Sequence, residues 1–322
     1  MMVEDKKINE IVELVLNQLQ AEGLLPSSPL ERTEKGSQPG NASQNVIGNP
    51  IAPKADLSTR SLPEIDLPDP ASDALRWQPR IRNAKDPEAL QDLMASTSAR
   101  IGVGRAGPRC NTPSLLLFQG DHAITQDALY RDVDQHLLDE FNLMTVQTRI
   151  TQGREEYLLR PDLGRQLSDV SQQMIDENCL KNPDIQVVVG DGLSALAIER
   201  NLRQIFPVVV QGAQAAGLRF GTPFHVKYCR VGVMNDIGDI IQPQVLILLI
   251  GERPGLGRAE SMSAYMAYKP KTADNDSDRD VVCNIFENGG TNPLEAGAFI
   301  VQFAQKMMQY KASGVKLKLA AG

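Results

Sequence analysis

The stretch "QVLILLIGERPGLG", Gln244 to Gly257, decides the fold. Six consecutive aliphatic residues, Val245 to Ile250, stop at Gly251, Glu252, Arg253 and Pro254. A short apolar run bounded by Gly and Pro reads as a strand buried on both faces. Charged side chains are rarely fully buried, so Glu252 and Arg253 belong to the turn at its exit.

Working outward, the same scheme recurs. "DIQVVVGDGLSALAIERNL" (Asp184–Leu202) reads as strand, glycine turn and helix, and "IFPVVVQGAQAAGL" (Ile205–Leu218) reads as a repeat of it. "YCRVGVMNDIGDII" (Tyr228–Ile241) gives a shorter strand and a helix or turn, and the segment from Arg258 to Tyr268 reads as a helix after the central strand. From Asp280 the chain reads as strand, loop and a long helix ending at Gly314. Buried strands alternating with helices predict an α/β fold, an open, doubly wound parallel sheet over residues 184–322 covered on both faces. Residues 75–183 read as a helical subdomain, with helical character over 85–99, 123–149 and "DLGRQLSDVSQQMIDENC" (Asp162–Cys179).

The N-terminus differs. Ile8, Ile11, Val12, Val15, Leu16 and Leu19 form one apolar stripe at helical spacing, so 1–23 reads as an amphipathic helix. Residues 24–74 carry eight of the 20 prolines between Pro26 and Pro70, with Ser, Asn, Gly and charge between them. Such a segment buries too little apolar area to offset its ordering entropy and reads as a disordered tether. Two readings stay open for the helix: one folded back on its own domain, or a docking peptide for another protein. The tether favours docking.

The composition excludes several classes. Net charge is −7 over 322 residues, with no Lys/Arg cluster to hold a phosphate backbone, so no nucleic acid is expected as partner. No apolar run reaches the roughly 18 residues of a membrane span, and the N-terminus lacks the apolar core of a secretory signal. Cys110, Cys179, Cys229 and Cys283 are scattered without a CxxC, which points to reduced thiols in a cytosolic setting and not to a zinc site. No dinucleotide fingerprint, Walker A loop, HExxH or nucleophile elbow occurs.

In a doubly wound sheet, ligands bind at the carboxyl ends of the strands. Three turns fall there: Gly190-Asp191-Gly192, Gly251-Glu252-Arg253-Pro254-Gly255 and Asn288-Gly289-Gly290-Thr291. Each candidate has a plainer alternative: Glu252 as a loop acid paired with Arg253, Asp191 as the cap of the helix opening at Leu193, Cys283 as a small buried thiol. Asp121 and His122 are adjacent, and neighbours in a helix rarely face the same way, which argues against an acid–base pair. The residues outline a crevice without a nucleophile or base, hence no catalytic residue and no metal ligand.

Several motifs, in order, resemble the small (light) subunit of ethanolamine ammonia-lyase: "GRAGPR" (Gly104–Arg109), "DHAITQDALYRDV" (Asp121–Val133), "LLRPDLGR" (Leu158–Arg165), "VVVGDGLSALA" (Val187–Ala197), "LLIGERPGLGRAESMSAYMAY" (Leu248–Tyr268) and "CNIFENGGTNPLEAG" (Cys283–Gly297). The N-terminal "INEIVELVLNQL" is similar to that subunit as well, while the 24–74 tether is longer than the family generally has. The resemblance implies a helical region followed by a Rossmann-like domain. It implies packing against a TIM-barrel large subunit in a hetero-oligomer of large–small pairs, with adenosylcobalamin held between them. The large subunit then binds ethanolamine, and radical chemistry carried by the cofactor yields acetaldehyde and ammonia.

The resemblance further implies that Val231, Glu252 and Cys283 contact the cofactor, with Arg230 and Arg253 nearby. A corrin carries peripheral amides, whose N–H groups a rim carboxylate accepts. The chain holds no D-x-H-x-x-G motif, since Asp134-Gln135-His136 is followed by Asp139 where the glycine would stand, so no side chain here is expected to ligate cobalt, and the resemblance implies that the cofactor's own dimethylbenzimidazole stays as lower ligand (base-on). The family is commonly packaged in bacterial microcompartments within the bacterial cytoplasm, and 1–23 resembles an encapsulation peptide. The alternative from a different class is a non-catalytic α/β scaffold or activating partner without its own cofactor.

Overall fold

Residues 72–321, apart from 98, 257, 258 and 288, are described by the computed structural model. The expected amphipathic helix at 1–23 and the tether up to residue 71 lie outside the described residues. In chain order, α1 (Asp73–Arg76) and α2 (Pro87–Ala95) precede a small hairpin, β1 (Arg105–Ala106) and β2 (Arg109–Cys110), and the long helix α3 (Thr112–Tyr130). There follow α4 (Gln135–Glu140), β3 (Met144–Gln147), α5 (Arg154–Leu159) and α6 (Asp169–Asn178). Next come β4 (Ile185–Gly190), α7 (Ala195–Ala215), β5 (Phe224–Lys227), α8 (Val233–Ile241) and β6 (Val245–Gly251). The chain closes with β7 (Met262–Tyr268), β8 (Asp280–Ile285), α9 (Pro293–Tyr310) and α10 (Gly314–Ala321).

Six strands make one sheet in the order β3-β5-β4-β6-β7-β8. The aliphatic run of β6 is buried along its whole length, between β4 and β7. Val245, Ile247 and Leu249 pack to one side with α7 and α9, while Leu246, Leu248 and Ile250 pack to the other with α6 and α8. Two covered faces explain why the run is unbroken and not alternating. Each large aliphatic side chain so buried contributes about 1.5–3 kcal/mol. The outermost parallel strand, β3, comes from the chain upstream of residue 184.

The fold is α/β with helices on both faces, but the sheet is mixed where a parallel one was expected. β3, β5, β4 and β6 run parallel, whereas β7 is antiparallel to β6 and β8 antiparallel to β7. The cause lies between the strands: only residues 252–261 join β6 to β7. A parallel return needs a crossover of about a dozen residues, usually a helix. Met262–Tyr268, expected to be that helix, is strand β7. Its Ala and Met favour helices, yet Met262, Ala264 and Met266 face one core and Ala267 the other, which is strand periodicity.

Two further expectations are corrected. Ile205–Leu218 is no second strand-and-helix unit but mostly the latter half of α7, which continues through Pro207. Ile198, Leu202, Ile205, Phe206, Val209 and Ala213 form one buried stripe, and that stripe overrides the β-branched run Val208–Val210. Helical character over 123–149 breaks after Tyr130, and Met144–Gln147 is strand β3. Among the described residues, no helix is long and apolar enough to cross a membrane.

Candidate functional site

At the carboxyl ends of β4, β5 and β6 the turns converge with β7 and β8 on a cleft of about 380 Å³. Val231, Glu252 and Cys283 all line it, as do Arg230 and Arg253. These come from the turn before α8, the turn after β6, and β8. The reversal at β7 brings Cys283 here, because β8 then runs in the direction of β6 and ends at the same edge. Leu193, Val231, Ile250 and Val281 supply apolar surface, with Val281 about half exposed although it sits in a strand.

Glu252 is held by its own chain. Its Oε2 accepts a hydrogen bond from the Ser261 hydroxyl at 2.7 Å, and its Oε1 accepts from the Ser263 hydroxyl and from the Asn284 backbone N–H at 2.8 Å. Its backbone N–H donates to the Ser261 carbonyl at 3.0 Å. The carboxylate thus ties the exits of β6 and β8 to the start of β7. No ion pair to Arg253 occurs among the described residues, so the loop-pair alternative fails. The same charge, after burial, holds the Tyr265 phenol above its ordinary pKa.

The turn after β4 is built differently. Asp191 is 1% exposed and accepts from the backbone N–H groups of Tyr228, 2.9 Å, and Cys229, 2.8 Å. Arg154, also buried, stands 3.4 Å away. The Arg154 guanidinium lies over the rings of Tyr157 and Tyr228 and donates to the carbonyls of Gly192 and Arg131. Burial raises the Asp191 pKa, and Arg154 with the two amides draws it back. Asp191 does not cap a helix. Ser194 caps α7, accepting from the Ala197 N–H, and Asp191 anchors the loop that carries Arg230 and Val231 into the cleft.

The two turns touch. Gly192 has φ +57°, and a Cβ there would lie 2.2 Å from the Gly251 carbonyl oxygen, so this position needs glycine on both counts. The turn after β6 is further tied down by Asn201, donating to the Glu260 carbonyl at 2.8 Å, and by Thr125 of α3, donating to the Gly255 carbonyl at 3.0 Å. The third glycine turn closes on β8 itself, Thr291 N–H donating to the Asn284 carbonyl, and contributes no lining residue among the described residues.

Arg230 stacks its guanidinium over the Tyr157 ring at 4.2 Å and donates through Nη2 to the Tyr157 carbonyl at 3.1 Å. Its Nε is buried without a hydrogen-bond partner. Cys283 is exposed, contrary to the buried-thiol alternative; Cys179 and Cys229 are buried, Cys229 packed under Gly190 where burial pushes its pKa up. Asp121 is fully buried and bridged by Arg76 and Arg100, while His122 contacts Gln126, so the adjacent pair is structural. None of His122, His136 and His225 lines the cleft. Sequence reasoning missed Ser261, Ser263, Arg154 and Tyr157. No local pattern marks them, because each matters through a contact distant in sequence or a strand read as helix.

The fold and cleft define a mixed α/β protein whose strand-end edge offers acceptor, donor and apolar surface together, the edge at which such sheets take ligands. The chain belongs to the ethanolamine ammonia-lyase light chain family, which matches residues 87–318. It is 47% identical over 232 residues to the ethanolamine ammonia-lyase small subunit of Clostridium acetobutylicum, covering 72% of this chain and 95% of that one. The small subunit of Clostridium perfringens is 44% identical over 252 residues, covering 78% and 85%, and that of Clostridioides difficile 40% over 283, covering 88% and 95%.

Proposed function

We propose that this chain is the small subunit of an adenosylcobalamin-dependent ethanolamine ammonia-lyase and forms one wall of a cofactor site shared with a TIM-barrel large subunit. One observation carries the reading: Val231, Glu252 and Cys283, the three positions the family resemblance implies, meet in one cleft. The donor set suits a corrin. Glu252 accepts from an amide N–H, the unpartnered Arg230 Nε donates to an amide carbonyl, and Val231 with Ile250 offers apolar surface to the macrocycle. A cleft of about 380 Å³ takes the edge of such a ring, which leaves the opposite face to the partner subunit.

When bound, adenosylcobalamin supplies the radical that lets ethanolamine lose ammonia and become acetaldehyde. This chain binds and orients. Glu252 and Arg230 fix the rim, the apolar floor excludes water, and the Asp191–Arg154 anchor keeps the loop bearing Val231 in place. The three histidines stand outside the cleft lining, so on this reading no side chain of this chain would be assigned to the cobalt. In the co-expressed complex, Glu252→Ala is expected to lower cobalamin retention about 10-fold or more. The bound corrinoid's electron paramagnetic resonance should keep the benzimidazole nitrogen splitting. Unchanged retention would leave the scaffold reading in its place. Residues 1–23 are proposed to direct packaging into a bacterial microcompartment; diffuse fluorescence of a 1–23 fusion in a compartment-forming strain would refute this.

A further inference from the structure

We propose that Tyr228 is a positioning residue of the cleft: held left-handed at the exit of β5, it turns the chain so that Arg230 and Val231 reach the ligand, and its ring locks that turn. The inference rests on the proposed cobalamin reading and goes beyond it. Tyr228 has φ +58°. A bulky side chain in this region costs free energy that glycine avoids, and such residues persist only where their surroundings over-determine them. Gly192, in the adjoining turn after β4, meets the same backbone requirement with glycine. The turn after β5 keeps a tyrosine instead, which assigns the ring a task of its own.

The backbone of this turn has no slack. The Tyr228 N–H donates to Asp191 at 2.9 Å, and its carbonyl accepts from the buried Thr148 hydroxyl at 3.0 Å. The Cys229 N–H donates to Asp191 as well, and the Cys229 carbonyl accepts from the Tyr157 hydroxyl at 2.7 Å. The Arg230 N–H donates to the Gly164 carbonyl at 2.8 Å, and its carbonyl accepts from the Val233 N–H at 3.0 Å. Every main-chain polar group from Tyr228 to Arg230 is therefore bonded.

The ring adds a second lock. The Lys227 ammonium lies 5.1 Å from its centroid and the Arg154 guanidinium 5.5 Å. Arg154 also lies over the Tyr157 ring, on which Arg230 stacks at 4.2 Å. Two rings thus space three cations, from the Lys227–Asp132 ion pair at the surface to Arg230 in the cleft. Like charges so placed repel, and the aromatic faces, with Asp132 and Asp191, offset the repulsion. Without the Tyr228 ring, Lys227 and Arg154 lose a shared contact, and Arg154 is the neighbour through which Tyr157 and Arg230 are held. The Tyr228 hydroxyl makes no hydrogen bond among the described residues, so the face of the ring carries the role.

Tyr228→Gly separates backbone from ring, because glycine takes the left-handed conformation freely and brings no aromatic face. The intact large–small complex is titrated with cyanocobalamin. Visible circular dichroism of the bound corrinoid records its orientation, and thermal unfolding without cofactor records stability. Tyr228→Gly should bind about 5- to 30-fold more weakly than wild type, with an altered dichroic band. Its unfolding midpoint should fall less than that of Tyr228→Leu, which has neither the ring nor the backbone freedom. The conservative Tyr228→Phe, which keeps the face, should restore both binding and dichroism. Tyr228→Asn tolerates the same backbone region and should follow the glycine variant; it decides the matter where that variant does not assemble. Wild-type binding and dichroism in the Gly and Asn variants overturn the inference and leave the cobalamin reading standing. A loss of binding that merely tracks the midpoint across Phe, Leu and Gly overturns it too, since that is the mark of a purely structural residue. A wild-type complex that takes up no cyanocobalamin overturns the underlying reading, and this inference with it.

Discussion

The turn after β4 and the turn after β6 each follow a fully buried strand with a glycine and an acid, Gly190-Asp191 in one case and Gly251-Glu252 in the other. The strands are hydrogen-bonded neighbours, and the turns are in contact. Yet Asp191 is closed off, its charge spent on Arg154 and two backbone amides, while Glu252 reaches the cleft with hydroxyl and amide donors and an acceptor position to spare. The difference follows from the neighbouring strand. β4 has parallel partners on both sides, so its exit is crowded by the loops of β5 and β6. Beside β6 the chain reverses into β7, which opens the sheet edge and presents Ser261 and Ser263 as donors. A glycine and an acid at a strand exit mark a place for chemistry without saying whether it serves folding or a ligand.

Removing each acid tests that division most directly. Asp191→Ala strands a buried guanidinium and should cost about 3–5 kcal/mol in urea unfolding. Glu252→Ala, at a part-exposed site, should cost less than half as much while carrying the larger effect on cobalamin. Equal stability losses would erase the distinction between the turns.

Acid loads the structural side. His225 lies in β5, the strand whose exit Asp191 anchors, and is buried with Thr145 at 3.3 Å from Nδ1 and no partner at Nε2. Burial, then the Lys227 charge, lowers its pKa to about 4, with Asp132 opposing. The unfolded chain takes up this proton near pH 6.5 and the folded one only near 4, so stability is present above the first value and is lost on descending to the second. The loss totals about 3 kcal/mol. His225→Gln should flatten that part of the stability–pH curve; an unchanged slope would contradict the assignment.

Cys283 gives the smallest effect. Exposed in β8, it should react with a thiol reagent in the isolated chain while Cys229 does not, and Cys283→Ser should shift stability by no more than about 0.5 kcal/mol. Protection of Cys283 by added cobalamin in the complex would sharpen its place on the ligand side.

The sequence by itself determined that Val245–Ile250 is a buried strand, because an unbroken aliphatic run of that length has few solutions other than burying both faces. It also determined that chemistry belongs at the exit, since Glu252 and Arg253 cannot follow the run into the core. The motif resemblance singled out Val231 and Cys283, which periodicity alone would have left as ordinary apolar residues. Only the tertiary structure decided the direction of β7 and β8. The Ala- and Met-rich Met262–Tyr268 satisfies helix propensity and strand alternation alike, and a short connection between β6 and β7 settled the choice. The partners of Glu252 and Asp191 were likewise decided in three dimensions. Ser261, Ser263, Asn284 and Arg154 meet these acids through sheet register and loop contact, and such long-range pairings leave no mark in a local stretch of chain.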